Sequence, residues 1–266
     1  MTAVATVAAA TVAQQNGTVV LGPRLCWRRE LKFPVPRYAL RPLIADLNAL
    51  LRPDAHVPAA GSYLVRSLYL DSPDFHSYVE KKLGASDRVK LRIRIYPPPR
   101  DAAVEDMGVI KFEIKHRRGE YVAKDVALAD LRTYADLMPV VTRFSPIGTH
   151  CVSPPLARFL AVQRRDAMRP VLNIEFARHA FVWPAHRQLR VTVDERILAW
   201  RARDVLCDGG GAKRSVFAEL GGILELKIRD AVPAEVERLV QKYRLSVRSL
   251  SKYAMAAPRA GIGLLA

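Results

Sequence analysis

Acidic residues are scarce in this 266-residue chain, where 26 Asp and Glu stand against 42 Lys and Arg and the formal net charge is +16. This imbalance predicts a polyanionic partner: a nucleic acid, an inorganic phosphate polymer, a nucleotide or an acidic membrane. Cysteines are also few, and Cys26, Cys151 and Cys207 lie far apart. Their number and spacing exclude a disulfide framework and a cysteine zinc site, as is typical of the reducing cytoplasm in which we expect the protein.

Long hydrophobic runs are missing. No stretch of 18 apolar, uncharged residues occurs, so we expect no transmembrane helix. The opening residues are rich in Ala, Val and Thr but lack the positively charged start of a signal peptide, and we interpret residues 1–24 as a flexible leader. We expect one folded domain over residues 25–256, followed by a frayed tail over residues 257–266.

The most informative stretch is 88–95, where basic and aliphatic residues alternate strictly. The side chains of Arg88, Lys90, Arg92 and Arg94 would share one face of a β-strand, with aliphatic side chains on the other. Like charges side by side on a sheet face destabilise it unless an anion lies over them. The stretch therefore predicts a strand with a phosphate-binding face, although a solvated sheet face rich in Arg and Lys would have the same pattern.

Other periodicities predict further strands and helices around this one. Alternating patterns indicate strands at about 25–33, 63–71, 109–115, 120–126, 171–181, 188–194 and 223–229. Helical spacing occurs at about 37–51, 73–83, 128–138, 155–168 and 234–243. For the second helix we expect Ser72 as the N-cap, Pro73 in the first turn and Gly84 just past the end.

Charged residues recur on one face of five of these strands. The sets are Arg28/Glu30/Lys32, Arg88/Lys90/Arg92/Arg94, Lys111/Glu113/Lys115, Arg190/Thr192/Asp194 and Glu225/Lys227/Arg229. In an ordinary sandwich such faces look outward to solvent. Because helices with apolar stripes are available to cover the apolar faces, the charged faces can instead line a closed barrel. We predict an α+β fold: a closed antiparallel β-barrel of about eight strands, with a charged lumen and flanking helices.

Several short motifs follow one another along the chain. They are Arg28-x-Glu30-x-Lys32-Phe33, Arg66-Ser67-Leu68-Tyr69-Leu70-Asp71, Lys90-x-Arg92-x-Arg94-x-Tyr96, Glu113-x-Lys115, Phe176-Ala177-Arg178, Arg190-x-Thr192-x-Asp194, Glu225-x-Lys227 and Ser251-Lys252-Tyr253. In this order they resemble the VTC (vacuolar transporter chaperone) domain, the polyphosphate polymerase branch of the CYTH-like triphosphate tunnel metalloenzymes. The resemblance runs from about Leu25 to Tyr253. It implies a tunnel of antiparallel strands whose inward basic residues hold a polyphosphate chain.

The resemblance also implies which residues act. The catalytic set would be Lys32, Arg92, Arg94, Lys115, Arg190 and Lys252, and further phosphate or nucleotide contacts would come from Arg28, Lys90, Lys124, Arg178 and Lys227. Arg offers a planar fork of donors to phosphate, and Lys offers a mobile point charge. Arg178 shares a formal strand face with Leu172, Ile174 and Phe176, so we expect a bulge or a strand end to turn it toward the lumen.

Carboxylates would hold the divalent metal, Mn²⁺ or Mg²⁺, that the resemblance implies. Glu225 is the favoured ligand. Glu30 and Glu113 are either secondary ligands or groups that orient neighbouring Lys and Arg side chains, and we favour the second interpretation because cations flank both of them.

The implied activity is transfer of the terminal phosphate of ATP to a growing inorganic polyphosphate chain. Two alternatives remain: a tunnel triphosphatase or polyphosphatase, and a non-catalytic polyphosphate-binding module. Related hydrolases open with Glu-x-Glu-x-Lys, whereas Arg28 occupies the first position here, which favours the polymerase. Without an inositol-phosphate-sensing helical domain or membrane helices, the sequence resembles stand-alone bacterial members. Nucleic-acid binding is not expected, because aliphatic rather than aromatic residues separate the cations of the basic strand.

Overall fold

The computed structural model describes residues 25–98, 108–146, 152–183, 189–217, 219–229 and 231–262, and the expected leader lies outside these ranges. The strands within them are β1 (Arg28–Pro36), β2 (Arg52–Pro53), β3 (Tyr63–Asp71), β4 (Arg88–Ile95), β5 (Ile110–Arg118), β6 (Tyr121–Ala129), β7 (Arg169–Val182), β8 (Arg190–Arg201), β9 (Arg214–Ser215) and β10 (Leu220–Ile228). The helices are α1 (Arg37–Leu50), α2 (His76–Leu83), α3 (Leu131–Arg143), α4 (Pro154–Arg165), α5 (Ala234–Lys242) and α6 (Lys252–Arg259).

Eight strands close into an antiparallel barrel. Their order is β7, β3, β4, β5, β6, β1, β10 and β8, and pairing of β8 with β7 completes the ring. The short strands β2 and β9 pair with β7 and β8 respectively. We name the two ends after β4: the Arg88 end, where β4 begins and β5 ends, and the Tyr96 end, just past the last residue of β4. The predicted barrel with flanking helices is confirmed.

Helices cover the outer face of the barrel, and this determines which strand faces look inward. Leu91 and Ile93 of β4 belong to the same buried cluster as Val141 of α3 and Phe159 of α4. A second buried cluster joins α1 to β1, β8 and β10. Neighbouring residues of a strand point to opposite faces of the sheet. Because the aliphatic side chains of β4 are buried under the helices, its basic side chains point into the lumen. This agrees with the prediction from strict alternation.

Helix α6 was not predicted, and it fills part of the barrel interior at the Arg88 end. Tyr253, Ala256 and Ala257 are buried in a cluster with inward residues of β7 and β8, and Ile262 is only 3% exposed. The fraying that we expected from residue 257 onward is therefore wrong for residues 257–262. A short, alanine-rich helix has a weak periodic signal, and its tertiary contacts stabilise it.

Helix α2 begins later than predicted. Phe75 has a φ of 56°, in the left-handed region, and the helix starts at His76 instead of Pro73. Ser72 is thus not the N-cap residue, but its hydroxyl accepts a hydrogen bond of 2.9 Å from the backbone N–H of His76. Gly84 ends the helix with a φ of 77°, as predicted.

No helix in the described part of the chain is long and apolar enough to cross a membrane.

Candidate functional site

The inward charges meet in one cavity inside the barrel, which encloses about 880 Å³ including its opening to solvent. Nine of the eleven cations assigned from the sequence line this lumen cavity: Lys32, Lys90, Arg92, Arg94, Lys115, Lys124, Arg178, Lys227 and Lys252. The carboxylates of Glu30 and Glu225 line it too. The charge of its lining is strongly positive.

Arg178 lines the lumen cavity, but without the bulge or strand end on β7 that the sequence predicted. Phe176 and Arg178, on the same face of β7, both line the cavity, so β7 does not need to turn Arg178 away from Phe176. The extra residue in the β7–β8 pairing lies on β8, where Arg196 has a φ of 51°. The apolar residues that precede Arg178 on this face also look inward, because α6 packs against them inside the barrel.

Asp194 anchors two of the cavity cations. Its carboxylate accepts two hydrogen bonds from the Arg178 guanidinium, at 2.6 and 2.8 Å, and lies 2.6 Å from Lys252 Nζ. Burial raises the pKa of Asp194, but the charges of Arg178 and Lys252 outweigh it and hold the pKa far below its ordinary value. Although Asp194 stands in a quoted motif, the sequence did not point to this positioning contact.

Glu113 holds three cations on β4 and β6. It pairs with Arg92 Nε, and its oxygens lie 3.5 Å from Lys124 Nζ and 3.9 Å from Arg94 Nη1. Burial raises the pKa of Glu113, but these three charges outweigh burial and keep the carboxyl ionised. Such contacts are those of a group that orients cations, and Glu113 is not among the residues that line the cavity.

Glu30 and Glu225 are the carboxylates that could hold a metal. In the β1–β10 pairing Glu30 is opposite Lys227 and Lys32 is opposite Glu225, which makes the two carboxylates diagonal neighbours. Glu30 Oε2 lies 2.6 Å from Lys115 Nζ, whereas Oε1 is buried and has no hydrogen-bond partner among the described residues. Glu225 Oε1 lies 3.5 Å from Lys227 Nζ.

Both carboxylates are ionised at neutral pH. Burial raises the pKa of Glu30, but Lys115 and other lysines lower it to about 2. Burial likewise raises the pKa of Glu225, yet Lys227 and Lys32 hold it well below its ordinary value. Ionised carboxylates with an unsatisfied oxygen suit a divalent cation. The described residues contain no group of three or more metal-ligating side chains, so phosphate oxygens would have to supply further ligands.

Arg28 and Arg190 are not brought to the lumen cavity. Both lie at the beginning of their strands, β1 and β8, at the Tyr96 end. Arg190 Nη2 is 3.2 Å from Asp54 Oδ2, and its side chain is 41% exposed. Arg28 Nη2 is 3.6 Å from Glu30 Oε1.

A family model for the VTC domain matches residues 27–259. The chain belongs to the VTC domain family.

Solved structures with a similar arrangement of strands and helices come from distant proteins. A candidate adenylate cyclase from Bacillus halodurans is 13% identical, with 83% of this chain and 91% of that chain covered and a TM-score of 0.47. The PH1819 protein from Pyrococcus horikoshii OT3 is 11% identical, with 85% and 93% covered and a TM-score of 0.42. The Mimivirus capping enzyme triphosphatase is 10% identical, with 82% and 88% covered and a TM-score of 0.37. No curated protein matches the chain.

This VTC domain has three further cavity cations to which the sequence prediction gave no named site role: Lys81, Arg88 and Arg117. Of these, Arg88 was predicted to lie on the phosphate-binding face of its strand. Arg88 and Arg117 continue the inward alternation of β4 and β5, where they are directly opposite each other. That alternation was a signal from which both could have been assigned. Lys81 comes from α2, and no pattern in the sequence relates a residue of this helix to the lumen.

Leu250 and Ser251 line the cavity of the VTC domain, and residues 249–251 contact three of its lysines. Lys81 donates to Ser249 Oγ at 2.9 Å, Lys32 to the Leu250 carbonyl at 3.2 Å, and Lys90 to Ser251 Oγ at 3.3 Å. Since these acceptors are uncharged, none of the three contacts neutralises the positive charge of its lysine.

Proposed function

We propose that this VTC domain transfers the γ-phosphoryl group of ATP to the end of an inorganic polyphosphate chain in the lumen cavity, assisted by Mn²⁺ or Mg²⁺. One observation carries the proposal: nine cations chosen from the sequence face a single cavity together with Glu30 and Glu225. A cavity with this charge excess selects a ligand whose negative charges are dense and regularly repeated.

The transfer itself needs little covalent chemistry from the protein. A terminal oxygen of the chain forms a bond to the γ-phosphorus, the bond from that phosphorus to the bridging oxygen breaks, and ADP leaves with the oxygen. The chain is thereby longer by one phosphate. Such a reaction is accelerated by in-line positioning and by neutralisation of charge on the transferred group.

Two of the arginines are held in place without a ligand. Arg92 is bound by Glu113 and donates to the Tyr69 hydroxyl at 3.3 Å, and Arg94 donates to Ser67 Oγ at 3.0 Å. Donors that are already oriented need little reorganisation when charge develops on phosphate oxygens. This arrangement supports positioning as the main contribution of β4.

The metal would be held by Glu225, with Glu30 as its neighbour. A divalent ion bound there would neutralise charge on the phosphate oxygens as a Lewis acid. The buried Oε1 of Glu30 accepts no hydrogen bond from a described residue, and its nearest cation, Arg28 Nη2, is 3.6 Å away, which supports this assignment. Glu113 is not assigned to the metal, because its carboxylate contacts Arg92, Arg94 and Lys124.

The test is incubation of the purified protein with ATP and Mn²⁺, with and without a short polyphosphate primer, followed by gel electrophoresis and assay of ADP. We expect a ladder of lengthening chains and one ADP for each phosphate added. Glu225→Gln should abolish the ladder. Asp46→Asn is the matched control, because Asp46 contacts Lys242 and Tyr243 on the outside of the barrel.

Two other outcomes would replace the proposal. Release of free phosphate without a ladder would establish a triphosphatase or polyphosphatase. Tight binding of polyphosphate with no turnover of ATP, under any metal, would establish a binding module.

A further inference from the structure

The two ends of the lumen differ in chemistry. At the Tyr96 end, Tyr63 lies on the same inward face of β3 as Ser67, and Tyr96 follows Arg94 on the inward face of β4. Their ring centroids are 5.8 Å apart with an interplanar angle of 54°, and both side chains are partly exposed. Lys111 Nζ lies 4.8 Å from the Tyr96 ring centroid. The chain thus presents two aromatic rings just beyond the last arginine of β4.

Polar and apolar groups accompany these rings. Burial raises the pKa of the Tyr63 phenol, although the charges of Arg178 and Arg190 offset part of this effect. At the same end of the barrel, Arg190 Nη2 pairs with Asp54 Oδ2 at 3.2 Å. Leu128 of β6 is opposite Lys111 and is 63% exposed. Flat apolar surface beside hydrogen-bonding groups is the usual environment of a bound nucleobase.

Three cations line the cavity at the Arg88 end. Arg88 and Arg117 face each other across β4 and β5, and Lys81 lies near them on α2. Burial lowers the pKa of Lys81, and repulsion from Arg88 and Arg117 lowers it further. Arg117 Nε donates to the Gly119 carbonyl at 2.7 Å, and none of the three cations forms an ion pair with a described carboxylate. This end suits a chain of phosphates that carries no base.

We propose that the nucleoside of the ATP donor stacks on Tyr63 and Tyr96, so that the polyphosphate chain extends toward the Arg88 end. Along β4, Arg94 and Arg92 follow Tyr96 at about 7 and about 13 Å, given a rise of about 3.3 Å per residue. The phosphates of a nucleotide stacked at Tyr96 would therefore meet the arginines in order. This inference rests on the proposed function and adds a base subsite and a direction of chain growth.

The experiment compares binding of ATP with binding of tripolyphosphate, which has no nucleoside, by titration calorimetry without turnover. Tyr63→Leu and Tyr96→Leu remove the ring but retain apolar bulk. Because each variant removes the ring on which the base stacks, we expect it to weaken ATP binding on the order of tenfold and to leave tripolyphosphate binding unchanged. Tyr96→Phe, which retains a ring, should bind ATP like the unmodified protein.

A control variant tests whether replacing a tyrosine outside the proposed subsite also changes ligand affinity. Tyr38 is 80% exposed on α1, outside the barrel, and Tyr38→Leu should change neither affinity. Equal weakening of ATP and tripolyphosphate by the leucine variants, or no weakening of either, would overturn the base subsite. If the unmodified protein binds neither ligand, the proposed function itself fails, and that result is distinguishable from loss of the subsite alone.

Discussion

Glu30 of β1 and Lys115 of β5 form an ion pair of 2.6 Å, although β6 lies between their strands in the barrel. β1 and β6 pair through only two residue pairs, Arg28 with Val122 and Arg29 with Tyr121. The backbone pairing between β1 and β6 is therefore short. The ion pair between Glu30 and Lys115 adds a side-chain contact from β1 to β5 across this part of the barrel. Side chains to which the proposed function assigns phosphate or metal binding thus also connect strands of the barrel.

Lys115→Met should destabilise the ligand-free protein. The change leaves the buried Glu30 carboxylate without its nearest cation, which typically costs 3–5 kcal/mol. Because Lys32 and Lys227 also act on Glu30, we expect a smaller loss of about 1–3 kcal/mol in the free energy of unfolding, measured by urea denaturation at pH 7. An unchanged midpoint would contradict a structural role for this pair.

Lys90→Met should have the opposite effect on stability. Lys90 contacts Ser251 Oγ and the Tyr253 ring but forms no ion pair with a described carboxylate, and burial lowers its pKa to about 7. Removing a poorly paired buried cation should leave the free energy of unfolding unchanged or raise it by about 1 kcal/mol. The same variant should bind tripolyphosphate more weakly. Urea denaturation and calorimetry on one preparation test both effects, and lower stability in this variant would refute the argument.

Asp194→Asn should make the stability of the protein depend on a bound anion. The change removes the charge that pairs with Arg178 and Lys252, and breaking a buried pair costs about 3–5 kcal/mol. Tripolyphosphate can replace the lost negative charge, so saturating ligand should raise the melting temperature of the variant more than that of the unmodified protein. Equal ligand-induced shifts in the two proteins would show that Asp194 does not position these cations.

Compared with a Lys90→Arg variant, the unmodified protein should lose affinity for tripolyphosphate as the pH rises from 6 to 8. Burial and repulsion from Arg88 lower the pKa of Lys90 to about 7, so Lys90 is charged below this pH and neutral above it. An anion favours the charged form, and binding near pH 7 should therefore take up protons. Calorimetry in two buffers of different ionisation enthalpy measures the uptake.

Lys90→Arg is the matched control for this pH dependence, because a guanidinium stays charged throughout the range. It should retain affinity at pH 8 and flatten the profile. A residual slope is expected from Lys227, whose pKa burial also lowers to about 7. An identical profile in the variant would mean that Lys90 does not titrate in this range.

The inward face of β4 could be read from the sequence because four cations alternate with aliphatic residues, and only one face of a strand can be buried under helices. The same pattern predicted the inward faces of β1 and β10. It did not predict α6, whose short alanine-rich segment folds only against the barrel interior. For the same reason the sequence predicts a bulge at Arg178: without α6, the apolar residues on its face of β7 indicate an outer face.

Local alternation and the excess of positive charge are properties of the sequence by itself, and they determined the barrel with its cationic lumen. The pairing of charges depended on the closed ring, which brings together residues as distant as Glu30 and Lys115, or Asp194 and Lys252. The same closure left Arg28 and Arg190 at the rim and brought Lys81 from α2 to the cavity. A strand pattern specifies the face on which a side chain lies, but the stagger and tilt of the strands decide how deep along the lumen it points.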